Sequence, residues 1–268
     1  MAKQLATREN IYDELTVVKN GTTYTLNEHW AISDNGNYDF RTKSEDKAFV
    51  HGGYSLGDNK VKSRTITLEF SRAGATEQDF NEAVNEAYVY LSQKDYELYA
   101  GRADRKYKVN SCQKMKLKYE KGFKNRRAEI TVTLVLADVP FRMATRATTT
   151  EFSFDEAVSM QEITFTNGGS VDAPLKITIT PAEDTTLADF RLTHSETGEN
   201  MRMTDNLLTA PAVAVVNGEQ GTVRRGTDNS INTFAGIFLH ALPGLNHYTL
   251  TTDGAVKITI EFTARYFV

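Results

Sequence analysis

The sequence predicts a mainly β protein of two domains, the first a β-sandwich or barrel carrying one α-helix, the second an all-β sandwich. Three observations lead there. Short runs that alternate apolar and polar residues recur along the chain, separated by Asn-Gly, Asp-Gly and Pro-Gly pairs. Only one stretch has a helical period. The two halves also carry opposite charge: residues 1–146 hold 24 Lys+Arg against 20 Asp+Glu, whereas residues 147–268 hold 7 against 15. Such asymmetry fits a domain boundary near the break.

The first half opens with a hairpin. Leu15–Val18 and Thr22–Leu26 flank Asn20-Gly21, two residues that tolerate positive φ and so close a two-residue turn. A strand is expected from Val61 to Phe70, with Ile66, Leu68 and Phe70 on one face and Thr65, Thr67 and Glu69 on the other. The single helix follows. Thr76 is placed to cap it, and Glu77 and Asp79 sit where negative charge favours the helix N-terminus. Phe80, Ala83, Val84, Ala87, Tyr88 and Leu91 then form one apolar stripe. Strands are expected at Glu97–Ala100, Tyr107–Val109, Lys114–Glu120 and Glu129–Leu136, the last stopped by Pro140.

Ala144–Thr150, rich in threonine and small residues, reads as a linker between domains 1–145 and 150–268. Beyond it eight alternating runs predict strands: Ile163–Thr166, Leu175–Thr180, Phe190–Leu192, Met201–Met203, Val213–Val216, Gly236–Leu239, Tyr248–Thr251 and Val256–Phe262. Pro243-Gly244 suits the centre of a type II turn, and Asp253-Gly254 reads as a hairpin between the last two runs.

Composition narrows function. The first ten residues have no apolar core, so no secretory leader is expected, and no apolar run reaches the roughly 18 residues of a membrane span. Cys112 is the only cysteine, which excludes an internal disulfide and a cysteine cage for zinc. The reducing cytoplasm is the expected site of synthesis.

Catalytic signatures are missing. The histidines His29, His51, His194, His240 and His247 show no zinc-helix spacing, and neither Gly-x-Ser-x-Gly nor a phosphate loop is present. Asp34, Asp39 and Asp46 around Asn35-Gly36-Asn37 lack the spacing of a calcium loop. Acid pairs such as Asp155-Glu156 and Glu183-Asp184 are what any acidic surface supplies. A sugar site in the second half lacks the usual stacking tryptophan, since the only one, Trp30, lies in the first. No enzyme, cofactor or metal is therefore expected.

The feature with contrast is basic. Eleven Lys/Arg fall between Arg102 and Arg127 against only Asp104 and Glu120. Lys114, Lys116 and Lys118 alternate with Met115, Leu117 and Tyr119, so one strand presents lysines outward. With Arg126 and Arg127 they form a candidate assembly contact. An acidic partner, nucleic-acid phosphate and a solvated edge that resists aggregation all remain open readings.

Taken in order, several landmarks resemble the siphophage distal tail protein family. They are His51-Gly52-Gly53-Tyr54, Arg64–Phe70, the helix from Thr76 to Ser92, Arg105–Val109 and Val135–Phe141, where Val139 separates Asp138 from Pro140. The second half adds Ile163–Ile179 with its Asn167-Gly168-Gly169 turn, Phe238–Asn246 containing Leu242-Pro243-Gly244-Leu245-Asn246, and Ile260–Tyr266. The resemblance implies a structural virion protein at the tip of a long non-contractile tail. It implies a hexameric ring built from residues 1–145, continuous with the tail tube, and a galectin-like β-sandwich at residues 150–268 outside that ring. The implied partners are other copies of the chain, the tail tube protein, the tail-fibre hub and receptor-binding or baseplate proteins, with no membrane and no reading of nucleic-acid sequence. Assembly would take place in the host cytoplasm. A tail-tube or related ring protein, and a carbohydrate-binding sandwich, are the alternatives.

Overall fold

A computed structural model describes residues 15–26, 30–33, 36–49 and 51–268. The chain divides into two compact units. One takes the chain up to Thr145 together with Phe267 and Val268; the other is Arg146–Tyr266.

The first unit contains, in chain order, β1 (Leu15–Lys19), β2 (Thr22–Leu26), β3 (Trp30–Ser33), β4 (Phe40–Asp46), β5 (Gly53–Val61), β6 (Arg64–Ala73), α1 (Glu77–Leu91), β7 (Tyr96–Ala100), β8 (Arg105–Val109), β9 (Ser111–Tyr119), β10 (Arg127–Leu136) and β11 (Arg142–Ala144). One sheet runs β2-β1-β7-β8-β11 and another β3-β6-β10-β9, while among the described residues β4 and β5 pair only with each other. Asn20 and Gly21 take φ +49° and +79°, as the two-residue turn between β1 and β2 requires. The strand expected from Val61 begins at Arg64 instead. Its buried face is Ile66, Leu68 and Phe70, which pairs in register with Leu134, Val132 and Ile130 of β10.

The helix closes this core. Thr76 accepts a hydrogen bond from the Asp79 N–H at 3.1 Å, and the Asp79 carboxylate accepts one from the Thr76 N–H at 3.0 Å. This reciprocal cap satisfies two donors that a helix start leaves over, and such caps contribute about 1 kcal/mol. Phe80, Val84, Ala87 and Leu91 are buried, and a side chain at Gly74 would meet the Phe80 backbone nitrogen at 2.4 Å. A second cluster is aromatic. The Arg64 guanidinium lies 4.1 Å over the Tyr38 ring, and Arg64 Nε donates to the Pro140 carbonyl at 2.7 Å. Tyr38 stacks on Phe141, and Phe267 meets both rings edge-on. Val139, inserted between Asp138 and Pro140, is buried.

The second unit contains β12 (Thr148–Phe154), β13 (Val158–Asn167), β14 (Ala173–Pro174), β15 (Lys176–Pro181), β16 (Asp189–His194), β17 (Asn200–Thr204), β18 (Ala214–Asn217), β19 (Thr222–Arg225), β20 (Asp228–Asn229), β21 (Phe234–Gly236), β22 (His240–Ala241), β23 (Gly244–Thr252) and β24 (Val256–Phe262). Two open sheets, β12-β24-β15-β18-β19-β20 and β13-β23-β16-β17-β21, enclose one apolar core. Phe165 joins them, stacking on Tyr248 of its own sheet and lying 5.7 Å from Phe262 of the other. This is the sandwich that the alternation predicts.

Four details depart from expectation. Ala144 and Thr148–Thr150, assigned to a linker, are strand residues, because threonine's branched side chain suits an extended backbone. Of Gly236–Leu239 only Gly236 belongs to a strand. Asp253-Gly254 is not a hairpin: β23 and β24 lie in different sheets, and the pair carries the chain across the sandwich. Asp253 ties this crossing to Asp189 through both its carboxylate and its N–H, and a side chain at Gly254 would meet Thr185 at 2.7 Å. β19 had no counterpart among the expected strands, being a four-residue run with two arginines.

Pro243-Gly244 behaves as the turn chemistry requires, with Gly244 at φ +93°. Its closure comes from a side chain. Asn246 is fully buried; its amide donates to the Leu242 and Gly244 carbonyls at 2.8 and 3.0 Å, and its oxygen accepts the Leu242 N–H at 2.8 Å. Asn167, paired in register with Gly244, is also buried and donates to the Ala241 and Val171 carbonyls while accepting the Gly169 N–H. Replacing Asn246 by Ala removes the side-chain partner of three backbone groups, two on half-buried Leu242 and one on exposed Gly244, and each such group left unsatisfied away from water costs about 1–3 kcal/mol. The Asn246→Ala variant is expected to lose about 3 kcal/mol of stability in a denaturant melt, whereas loss below about 0.5 kcal/mol would show that water replaces the amide.

Candidate assembly surface

The candidate residues sit on the β9–β10 hairpin. Among the described residues β9 is the terminal strand of its sheet, and its register sets Lys114 opposite Thr133, Lys116 opposite Thr131 and Lys118 opposite Glu129. All three lysines are exposed while Met115 and Leu117 pack against the core. The alternation expected from the sequence is thus present, and the lysines stand about 6.8 Å apart along the strand.

The structure does not keep the eleven cations together. β8 belongs to the other sheet, and its charges are matched locally: Lys106 pairs with Glu97 at 2.6 Å and Lys108 with Asp138 at 3.4 Å. Arg102 pairs with Asp104 at 2.8 Å. Its hydrogen bond holds the Asp104 carboxyl below the usual range; the Asn110 amide, then Lys108, do the same for Asp138. On the hairpin, Arg127 binds Glu120 at 3.0 Å and lies over the Phe123 ring, and Arg126 donates to the Ala75 carbonyl at 2.7 Å. Lys118 reaches Glu129 at 3.4 Å with both groups largely in water, where such pairs contribute little. Lys114 and Lys116 have no ion pair among the described residues. What remains is a column of lysines beside a face that carries Thr131, Thr133 and Val135 on β10 and Thr65, Thr67 and Glu69 on β6.

The other chemical candidates disperse. His29, Asp34, Asn35 and Val50 lie outside the described residues. His194 is buried, its Nδ1 accepting the Glu196 and Thr197 N–H groups, and His240 supplies a carbonyl to Tyr248. His247 does meet a carboxylate, Glu162 at 2.6 Å across the sheet, which sequence proximity could not reveal. No group of three metal-ligating side chains occurs among the described residues, and no helix there is long and apolar enough to cross a membrane. Sequence reasoning missed the β4–β5 ribbon, whose charged residues hide any alternation.

Residues 168–266, most of the second unit, match the model of the family described as siphovirus-type tail component, C-terminal domain. Over those residues the chain is similar to that family. Among solved structures, its fold is similar to that of the SPP1 Dit (gp 19.1) protein, described as a paradigm of the hub adsorption apparatus in phages infecting Gram-positive hosts. That likeness has a TM-score of 0.67 at 14% identity and covers 93% of this chain and 98% of the other. Chains of the phage P2 baseplate in its activated conformation also match: with calcium at TM-score 0.44 and 10% identity over 94% and 97% of the two chains, with strontium at 0.40 and 11% over 92% and 97%. Among curated proteins none matches.

Because the three lysine side chains project into water, the chain should fold without them. The triple variant Lys114→Ala, Lys116→Ala, Lys118→Ala is expected to stay within about 0.5 kcal/mol of the parent per site by chemical denaturation, and a larger loss would make the column a folding element.

Proposed function

We propose that this chain forms a six-membered ring at the distal end of a long non-contractile tail, joining the tail tube to the tail-fibre hub. Residues 1–145 form the ring. Residues 150–268 make the outer sandwich, where receptor-binding or baseplate proteins attach. The protein has no catalytic role; it is made in the host cytoplasm and ends in the virion tail tip. The observation that carries this reading is the tail-component match across residues 168–266.

A closed ring of identical subunits needs a heterologous contact, one patch meeting a different patch on the next copy. Lys114, Lys116, Lys118, Arg126 and Arg127 are the proposed contribution of the hairpin, facing an acidic surface on a neighbouring copy or an adjoining tail ring. Lys114 and Lys116, without an ion pair among the described residues, suit that role because no internal partner must be displaced when the contact forms.

Light scattering of the purified chain is expected to give about six times 30.0 kDa, with a closed six-fold ring in electron micrographs. Open-ended tubes would favour a tail-tube protein, and a persistent monomer would reject the ring. Charge reversal of Lys114, Lys116 and Lys118 should weaken assembly onto the ring or tube; undiminished assembly would remove the column from the interface.

A further inference from the structure

Two features that work against stability meet in one row across the outer face of the β13-β23-β16-β17-β21 sheet. Leu192, Met201 and Leu250 point into the core, so Arg191, Arg202 and Thr251 beside them point out. The register sets Arg191 opposite Arg202 on one side and Thr251 on the other. Like charges that face each other across a ladder destabilise it. Arg202 is relieved, because it donates to both Asp189 carboxylate oxygens, at 2.7 and 2.9 Å. Arg191 is not. Residues 147–268 hold seven Lys/Arg, and five of them, Lys176, Arg202, Arg225, Lys257 and Arg265, sit 2.6–3.6 Å from a carboxylate. Arg191 and Arg224 have no ion pair among the described residues, and of these two only Arg191 faces a second arginine. The remaining charged partners on this face, Glu162 and His247, hold each other at 2.6 Å.

The row ends at Met160. β13 pairs Val158 with Thr252 and Gln161 with Leu250, so Ser159 and Met160 face the single residue Thr251. Met160 takes φ +56°, a left-handed conformation that a bulky side chain adopts only where its surroundings impose it. Its N–H donates to Thr251 Oγ1 at 3.2 Å, and its side chain is left 77% exposed. A bulge re-aims side chains, and this one holds an apolar group in water at the end of the row that contains the unmatched arginine.

We infer that the row Met160-Thr251-Arg191-Arg202 receives a segment of a different tail protein, which presents one carboxylate to Arg191 and an apolar group to Met160. The inference rests on the reading that such proteins attach to residues 150–268, and it names the face they use. The spacing between strands sets the two anchors about 10 Å apart. Arginine's planar fork takes a carboxylate through two parallel hydrogen bonds, and methionine's unbranched side chain adapts to the apolar surface laid on it. Charge narrows the partner further. With 15 Asp+Glu against 7 Lys+Arg in residues 147–268, a second copy of this unit or a strongly acidic protein is repelled, so the fitting segment is neutral or basic apart from its one carboxylate.

The test begins with the isolated full chain. Arg191→Thr should melt at or above the parent temperature, because it removes the pair of facing cations; melting several degrees lower makes Arg191 a folding residue and overturns the inference. The second step uses purified tails carrying the full chain, with a photo-crosslinker at Met160 or, for comparison, at Lys257 on the outer face of the opposite sheet. Met160 should join a different tail protein. Arg191→Glu should then lower the amount of that protein retained on the tails at least tenfold, and changing the partner carboxylate nearest the crosslink to Lys should restore it. Partner crosslinks from Lys257 with none from Met160, or undiminished retention with Arg191→Glu, overturn this face and leave attachment to the sandwich standing. Crosslinks to no other protein from either position overturn the attachment reading and this face with it.

Discussion

The second unit is held by two neighbouring strands. β12, where the chain first runs into it, pairs antiparallel with β24, near where the chain leaves, and their register joins Thr148 to Phe262. The chain then returns to the first unit, where Phe267 meets Tyr38 and Phe141, and the Tyr38 hydroxyl donates to the Phe267 carbonyl. The sandwich is therefore an insertion into the first unit's sequence rather than an appendage. An insertion of about 120 residues is tolerable because closure entropy grows only with the logarithm of length, and the β12–β24 ladder has already brought its ends together.

That arrangement explains which parts of the fold were legible. Asn20-Gly21 and Thr76 act on backbone groups within three residues of themselves, so their chemistry can be read locally. Asp253-Gly254 has the same local chemistry as a hairpin turn, but the destination of the following strand is set by the core: Val256, Ile258 and Ile260 complete the sheet opposite Leu250 and Tyr248. Two consecutive strands can be neighbours in one sheet or face each other across a sandwich, and alternation is identical in both. The ribbon was illegible for the opposite reason. Neither of its faces is buried within the chain, so no apolar period is imposed on it.

Asn167 directly precedes a glycine and Asn246 follows one by two residues, a setting where asparagine ordinarily marks an exposed turn, yet both are buried. Each amide satisfies backbone groups at a tight corner, those of buried Ala241 and Val171 for Asn167 and those of Leu242 and Gly244 at the turn for Asn246. Their burial follows from closure of the sandwich. The lysine column shows the complementary limit. Its spacing was visible in Lys114, Lys116 and Lys118, but which cations remain unmatched depends on register, since Glu129 reaches Lys118 and Glu97 reaches Lys106 only through strand pairing.

The column and the ribbon make different demands on whatever meets them. Lysines in water lose hydration when buried and attract through a field that salt screens within about 8 Å at physiological strength, so they orient and select a neighbour more than they hold it. Tyr54 and Leu56 gain from losing water, a contribution that does not depend on ionic strength and scales with covered area. The face beside the lysines adds little of the second kind, because Thr65, Thr67, Thr131 and Thr133, with Glu69 and Val135 among them, offer shape and hydrogen bonding with little apolar area.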